Sequence, residues 1–141
     1  MKLSATEARS RLEAHSHGVL CTVHAERGVD AVPVVYAAGD GLVGVPVDRV
    51  KPKVSPRLQR RRNLEADPRA ALLVEHWDRH DWTQLWWARA ELRWLGDGDE
   101  LPGPAAALAA RLAGTFPQYR DQPFSSILVM RVVAVTGWSA G

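Results

Sequence analysis

Residues 49–62 read RVKPKVSPRLQRRR: seven of these fourteen side chains are Lys or Arg, and none is acidic. The whole chain carries 18 cationic against 16 acidic side chains, a formal net charge of +2. Positive charge is therefore concentrated here rather than spread over the molecule, and concentrated cations serve an anion. Spacing says which kind. Ser55-Pro56 is a helix start, with Ser as the N-cap and Pro at the first helical position. On that helix Arg57, Arg60 and Arg61 stand at i, i+3 and i+4 and share a face, while Arg62 points elsewhere. Lys51 and Lys53 lie just before the start, where free backbone N–H groups and the helix dipole favour an anion. A solvated basic helix is the plain alternative. A nucleic acid fits less well, because no binding motif is present, no aromatic residues interleave the cations, and the net charge is small. A phosphorylated small molecule fits the spacing best.

Three other groups of residues have the right types for chemistry. Five of the six tryptophans fall between Trp77 and Trp94. Rings so clustered stack on a planar ligand, line a subunit interface or fill a core. Trp86 and Trp94 suit the core; Trp77, Trp82 and Trp87 are harder to bury together in a domain this small. His15-x-His17 and His76-x3-His80 have spacings that a metal could use, but no Cys or carboxylate completes a known site, so no metal is expected. Cys21, the single cysteine, sits in an alternating strand and reads as a buried structural thiol. No Ser–His–Asp set, P-loop or Gly-x-Gly-x-x-Gly is present, and no side chain reads as a nucleophile.

The elements that must position these groups follow from patterning. With 141 residues, 46% apolar and 24% charged, the chain reads as a single globular domain, 1–141, with a real core. One cysteine allows no internal disulfide, and no apolar run suggests a signal or a membrane span, so a cytoplasmic protein is expected. Ser4 and Glu7 make a capping box for a helix over 5–14. Alternating β-branched runs at 18–25, 29–38 and 42–48 predict a three-stranded meander. Pro33 and Pro46 lie inside two of these strands and mark edges or bulges, since proline donates nothing to a ladder. The basic helix should stop before Asp67-Pro68. Strands are predicted over 69–77 and 82–96, the latter with Trp86, Ala88, Ala90, Leu92 and Trp94 on one face and Trp87, Arg89, Glu91 and Arg93 on the other. A helix over 105–113 and a strand over 124–138 complete a mainly β fold with inserted helices, a small barrel with helices at its openings.

At this level the chain resembles a known family. The segments SHGVLCTVHAERGVDAVPVVYA, KPKVSPRLQRRRNLEADPRAALLVEHW and HDWTQLWWARAEL are similar to those of the split β-barrel, pyridoxamine 5'-phosphate oxidase-like superfamily. NLEADPRAALLVE is the most specific piece, and the likeness runs over essentially the whole chain. Within the superfamily it is most similar to the actinobacterial coenzyme F420-dependent oxidoreductase class. The resemblance implies a homodimeric split β-barrel with the cofactor at the subunit interface. The deazaflavin ring would lie along the second and third strands, at Val32, Pro33, Val34, Val35 and Tyr36 and at Val45, Pro46 and Val47. Lys51, Lys53 and Arg57 would hold the phosphate, with Arg60 and Arg61 close by, and the second protomer would bring Trp77, Trp82 and Trp87. The implied activity is hydride transfer from coenzyme F420 to an unsaturated small molecule; the resemblance names no proton donor, and Tyr36 and His76 are the candidates. FMN is the alternative cofactor, and a non-enzymatic flavin or haem carrier of the same fold is the alternative function.

Overall fold

The computed structural model describes residues 1–47, 59–121 and 126–141. Helix α1 (Ala5–Ala14) begins as the sequence predicts: Ser4 Oγ accepts the Glu7 N–H at 3.1 Å, and Ala8 and Leu12 turn inward. Strands β1 (His17–His24) and β2 (Gly28–Val35) form the first antiparallel hairpin. His24 Nδ1 ties its turn by accepting the N–H groups of Glu26 and Arg27, both at 3.0 Å.

The chain then leaves this hairpin at Tyr36. Its amide donates to Ser16 O at 2.9 Å and its hydroxyl to Leu12 O at 2.7 Å, so the ring is drawn into the core beneath α1. Strand β3 (Ala37–Gly39) pairs instead with β4 (Leu42–Val47), turning at Asp40 (φ 54°) and Gly41 (φ 75°). Positive φ at both central residues belongs to a hairpin whose twist matches its strands. The expected three-stranded meander is therefore two hairpins, separated by the Tyr36 break and carried to opposite edges of the sheet.

Strands β5 (Arg69–His76), β6 (Trp86–Asp97) and β7 (Ser126–Ser139) complete the order β2-β1-β5-β6-β7-β4-β3, antiparallel throughout. The sheet is not closed: β2 and β3 are its edges. It curls, nonetheless, because Val34 of β2 and Val43 and Val45 of β4 enter the same core cluster as Leu72, Leu92 and Leu128. On β6 the alternation is as expected, with Ala88, Ala90 and Leu92 buried and Arg89, Glu91 and Arg93 exposed. This strand starts at Trp86 rather than at 82, because Asp81 caps a single 3-10 turn, Trp82–Gln84, through the Thr83 N–H at 3.1 Å.

Among the described residues, three α-helices follow α1. Helix α2 is described over Gln59–Ala66, so its expected start at Ser55-Pro56 lies outside the described residues. Asn63, 3% exposed, fastens α2 to the sheet: its Nδ2 donates to Thr22 Oγ1 at 2.9 Å and to Asp30 Oδ2 at 2.8 Å. Helix α3 (Pro102–Thr115) lays Ala105, Leu108 and Leu112 on Ile127 and Val129, and α4 (Gln118–Asp121) adds Tyr119 to that second cluster. A fully buried leucine such as Leu12 or Leu112 contributes about 1.5–3 kcal/mol. Among the described residues no helix is long and apolar enough to cross a membrane.

Candidate functional site

Two strands have a side left unpaired among the described residues, each at a proline. Edge strand β2 has only β1 beside it, and Pro33 sits there opposite Val19. Strand β4 outruns β3, whose pairing ends at Gly44, so Val45, Pro46 and Val47 have only β7 beside them. Proline suits such places because it has no N–H to leave unpaired. Between these overhangs lies a cavity of about 300 Å³, the lower end of the range of small-molecule sites. Its strand walls are Pro33, Val34, Val35 and Pro46; α2 adds Arg60, the start of β1 adds His17, and α4 adds Gln118 and Tyr119. The Arg60 guanidinium donates to Pro46 O at 3.5 Å, which sets the cation beside the β4 backbone. Among the described residues that line it, Arg60 is the permanently charged side chain.

The structure thus gathers five of the residues expected from sequence, Pro33, Val34, Val35, Pro46 and Arg60, around one cavity. It places others elsewhere. Val32 packs half-buried against the main core, and Tyr36, Val45 and Val47 are buried within it. Burial pushes the Tyr36 hydroxyl well above the usual tyrosine range, and its proton is committed to Leu12 O. Arg61 turns to the buried Asp97 and to Glu65, at 3.4 Å from the latter. Lys51, Lys53 and Arg57 lie outside the described residues.

The tryptophans do not line this cavity. Trp77 and Trp82 are exposed, edge to face at 6.1 Å. Trp87 pairs across strands with Trp138, and the Arg89 guanidinium lies 5.2 Å from its ring. Trp86 collects His15, edge-on at 4.8 Å, His76, stacked at 6.5 Å, and the Arg11 guanidinium at 4.9 Å. Burial is the main cause that holds the His15 imidazole below its ordinary pKa, with His76 adding to it. Among the described residues no three His, Cys, Asp or Glu side chains are grouped as metal ligands. Cys21 is half-buried rather than buried, because its strand position turns it to the outer face between Ala31 and Ala71.

Sequence reasoning missed three lining residues. Gln118 and Tyr119 belong to a four-residue helix too short for periodicity to reveal. His17 was weighed only as a metal ligand; its place at the start of the strand that supports β2 was the available signal.

No family model and no curated protein matches the chain. Solved structures do. A FAD-binding protein from Mesorhizobium loti is 18% identical, with a TM-score of 0.69 over 97% of this chain and 93% of that one. An FMN-binding protein from Syntrophomonas wolfei is 19% identical, with a TM-score of 0.62 over 96% and 86%. An F420 reductase is 19% identical, with a TM-score of 0.59 over 90% and 94%. The fold is the one these proteins share. It is the mostly antiparallel, helix-decorated sheet of the pyridoxamine 5'-phosphate oxidase-like flavin-binding proteins, which the sequence resemblance implies.

Proposed function

We propose that this chain binds a flavin-type cofactor in the cavity between β2 and β4, that the cofactor is coenzyme F420, and that the protein is an oxidoreductase acting on an unsaturated small molecule. The observation that carries the reading is the convergence of edge strand β2 at Pro33, the β4 overhang at Pro46 and the Arg60 guanidinium on one cavity. The fit is chemical. Pro33, Val34, Val35 and Pro46 offer a largely apolar wall for a flat ring, and Arg60 offers a fixed charge for an anionic substituent. A cavity of about 300 Å³ takes the ring system, and the rest of the molecule extends beyond it. The proteins of like fold that bind FAD, FMN or F420 support a ligand of this class.

Coenzyme F420 is preferred over FMN because the cations of 49–62 exceed what one phosphate uses even with Arg61 paired to Asp97 and Arg62 set apart, whereas a phosphodiester with a glutamate tail presents several anionic groups. Lys51, Lys53 and Arg57 would hold those groups alongside Arg60. When bound, reduced deazaflavin supplies a hydride from C5 to an electron-poor C=C or C=N bond. The chain's own contribution is to bind, orient and shield, consistent with the lack of a nucleophilic constellation. A homodimer would bring Trp77, Trp82 and Trp87 of a second copy toward the site. A fluorescence titration of purified protein with F420 and with FMN tests the reading. Saturable F420 binding supports it, tight FMN binding without F420 binding replaces it with the second reading, and binding of neither overturns it.

A further inference from the structure

His17 has no task in the reading above. It opens β1, stands exposed at the rim of the cavity, and shares its lining with Arg60 of α2 and Tyr119 of α4. Imidazole is the side chain that changes charge between pH 5 and 8; Arg60 keeps its charge throughout, and a phenol stays neutral there. Its ionisable neighbour is His15, in the link between α1 and β1, which in turn has Glu75 and His76 of β5 close by. His15 is half-buried against Trp86 and held low by that burial, then by His76, with Glu75 opposing and His17 adding a smaller lowering. Burial thus biases the His15 imidazole toward its neutral form, and His76 lies against Trp86 rather than on the cavity wall.

Resting on the cofactor-binding reading, we infer that His17 meets an anionic group of the cofactor as an imidazolium beside Arg60, which couples cofactor affinity to pH. An anion bound at the rim favours the charged imidazole, so binding draws a proton onto His17. A charge-assisted hydrogen bond at an exposed rim is worth about a tenfold change in affinity. Arg60 supplies a constant part of the attraction and His17 the part that disappears as pH rises.

The test is calorimetric titration with oxidised F420, and with FMN, from pH 5.5 to 8.5 in two buffers of different ionisation enthalpy. Wild type is compared with His17→Gln and His17→Lys, so that titration of the ligand's own groups cancels. The expected result is an affinity that falls about tenfold more in wild type than in His17→Gln across this range. Proton uptake near pH 7 is expected to vanish in His17→Gln, and His17→Lys should hold its acidic-range affinity to pH 8.5. His15→Gln, which touches Trp86 and not the cavity, should keep the coupling. Equal pH dependence and equal proton uptake in wild type and His17→Gln overturn the inference while the cofactor reading stands. Failure of both cofactors to bind at every pH overturns both.

Discussion

Asn63→Ala probes the joint that carries Arg60 to the cavity. Asn63 is 3% exposed and links three elements: its Nδ2 reaches Thr22 Oγ1 of β1 and Asp30 Oδ2 of β2, and its Oδ1 accepts from Gln59 Nε2 of α2 at 2.9 Å. Losing the Thr22 bond costs about 1 kcal/mol net, and stranding the buried Thr22 hydroxyl costs about 1–2 kcal/mol more. A destabilisation of about 2–3 kcal/mol corresponds to a Tm lower by about 8–12 °C for a chain of this length. The bond to Asp30 adds a pH signature. That carboxyl is held below its ordinary pKa, first by Asn63 and then by Arg27. A carboxylate depressed in the folded state stabilises fully above its unfolded value, about 3.9, and the contribution fades as pH falls below it. The wild type has this to lose on acidification and the variant has less, so the Tm gap should narrow between pH 5 and pH 3. Thermal unfolding by circular dichroism at pH 7, 5, 4 and 3 reads both effects. A variant melting within 2 °C of wild type at pH 7, or a gap that widens with acid, would refute the reasoning.

Further consequences concern the same frame. Tyr36→Phe removes the hydroxyl that caps Leu12 O at the end of α1, and should lower stability by about 1–2 kcal/mol in a denaturant titration. Gly18→Ala sets a Cβ 2.6 Å from the backbone oxygen of Leu73, which cannot retreat without breaking the β1–β5 ladder; a loss of about 1–3 kcal/mol is expected by the same measurement. Arg61→Ala leaves the buried Asp97 without its cation. Because Arg61 is itself about one-third exposed, the cost should be about 1–3 kcal/mol, and cofactor affinity should fall less than in Arg60→Ala.

The long strand over 82–96 was legible because its period-2 alternation leaves one buried face, and the structure places Ala88, Ala90 and Leu92 there. The two strand prolines marked free edges for a reason that holds locally, the missing N–H, and both line the cavity. Tyr36 was misread as the continuation of a strand, because what breaks it is tertiary: partners at Ser16 and Leu12 that no window around 36 contains. Helical spacing put Arg60 and Arg61 on one face. It could not tell that Asp97, 36 residues along the chain, would draw Arg61 away, whereas Pro46 O holds Arg60 at the cavity. His17, Gln118 and Tyr119 meet only after the sheet has curled, so no sequence spacing announced them.

The central claim, a flavin-type cofactor in the cavity between β2 and β4, is tested most directly by amide chemical-shift mapping of the ¹⁵N-labelled protein during titration with whichever cofactor binds, F420 or FMN. The account predicts the largest shifts at His17, Val34, Val35, Arg60 and Tyr119, around the two prolines that have no amide of their own. Saturable binding that leaves Val34, Val35 and Arg60 unmoved would contradict it.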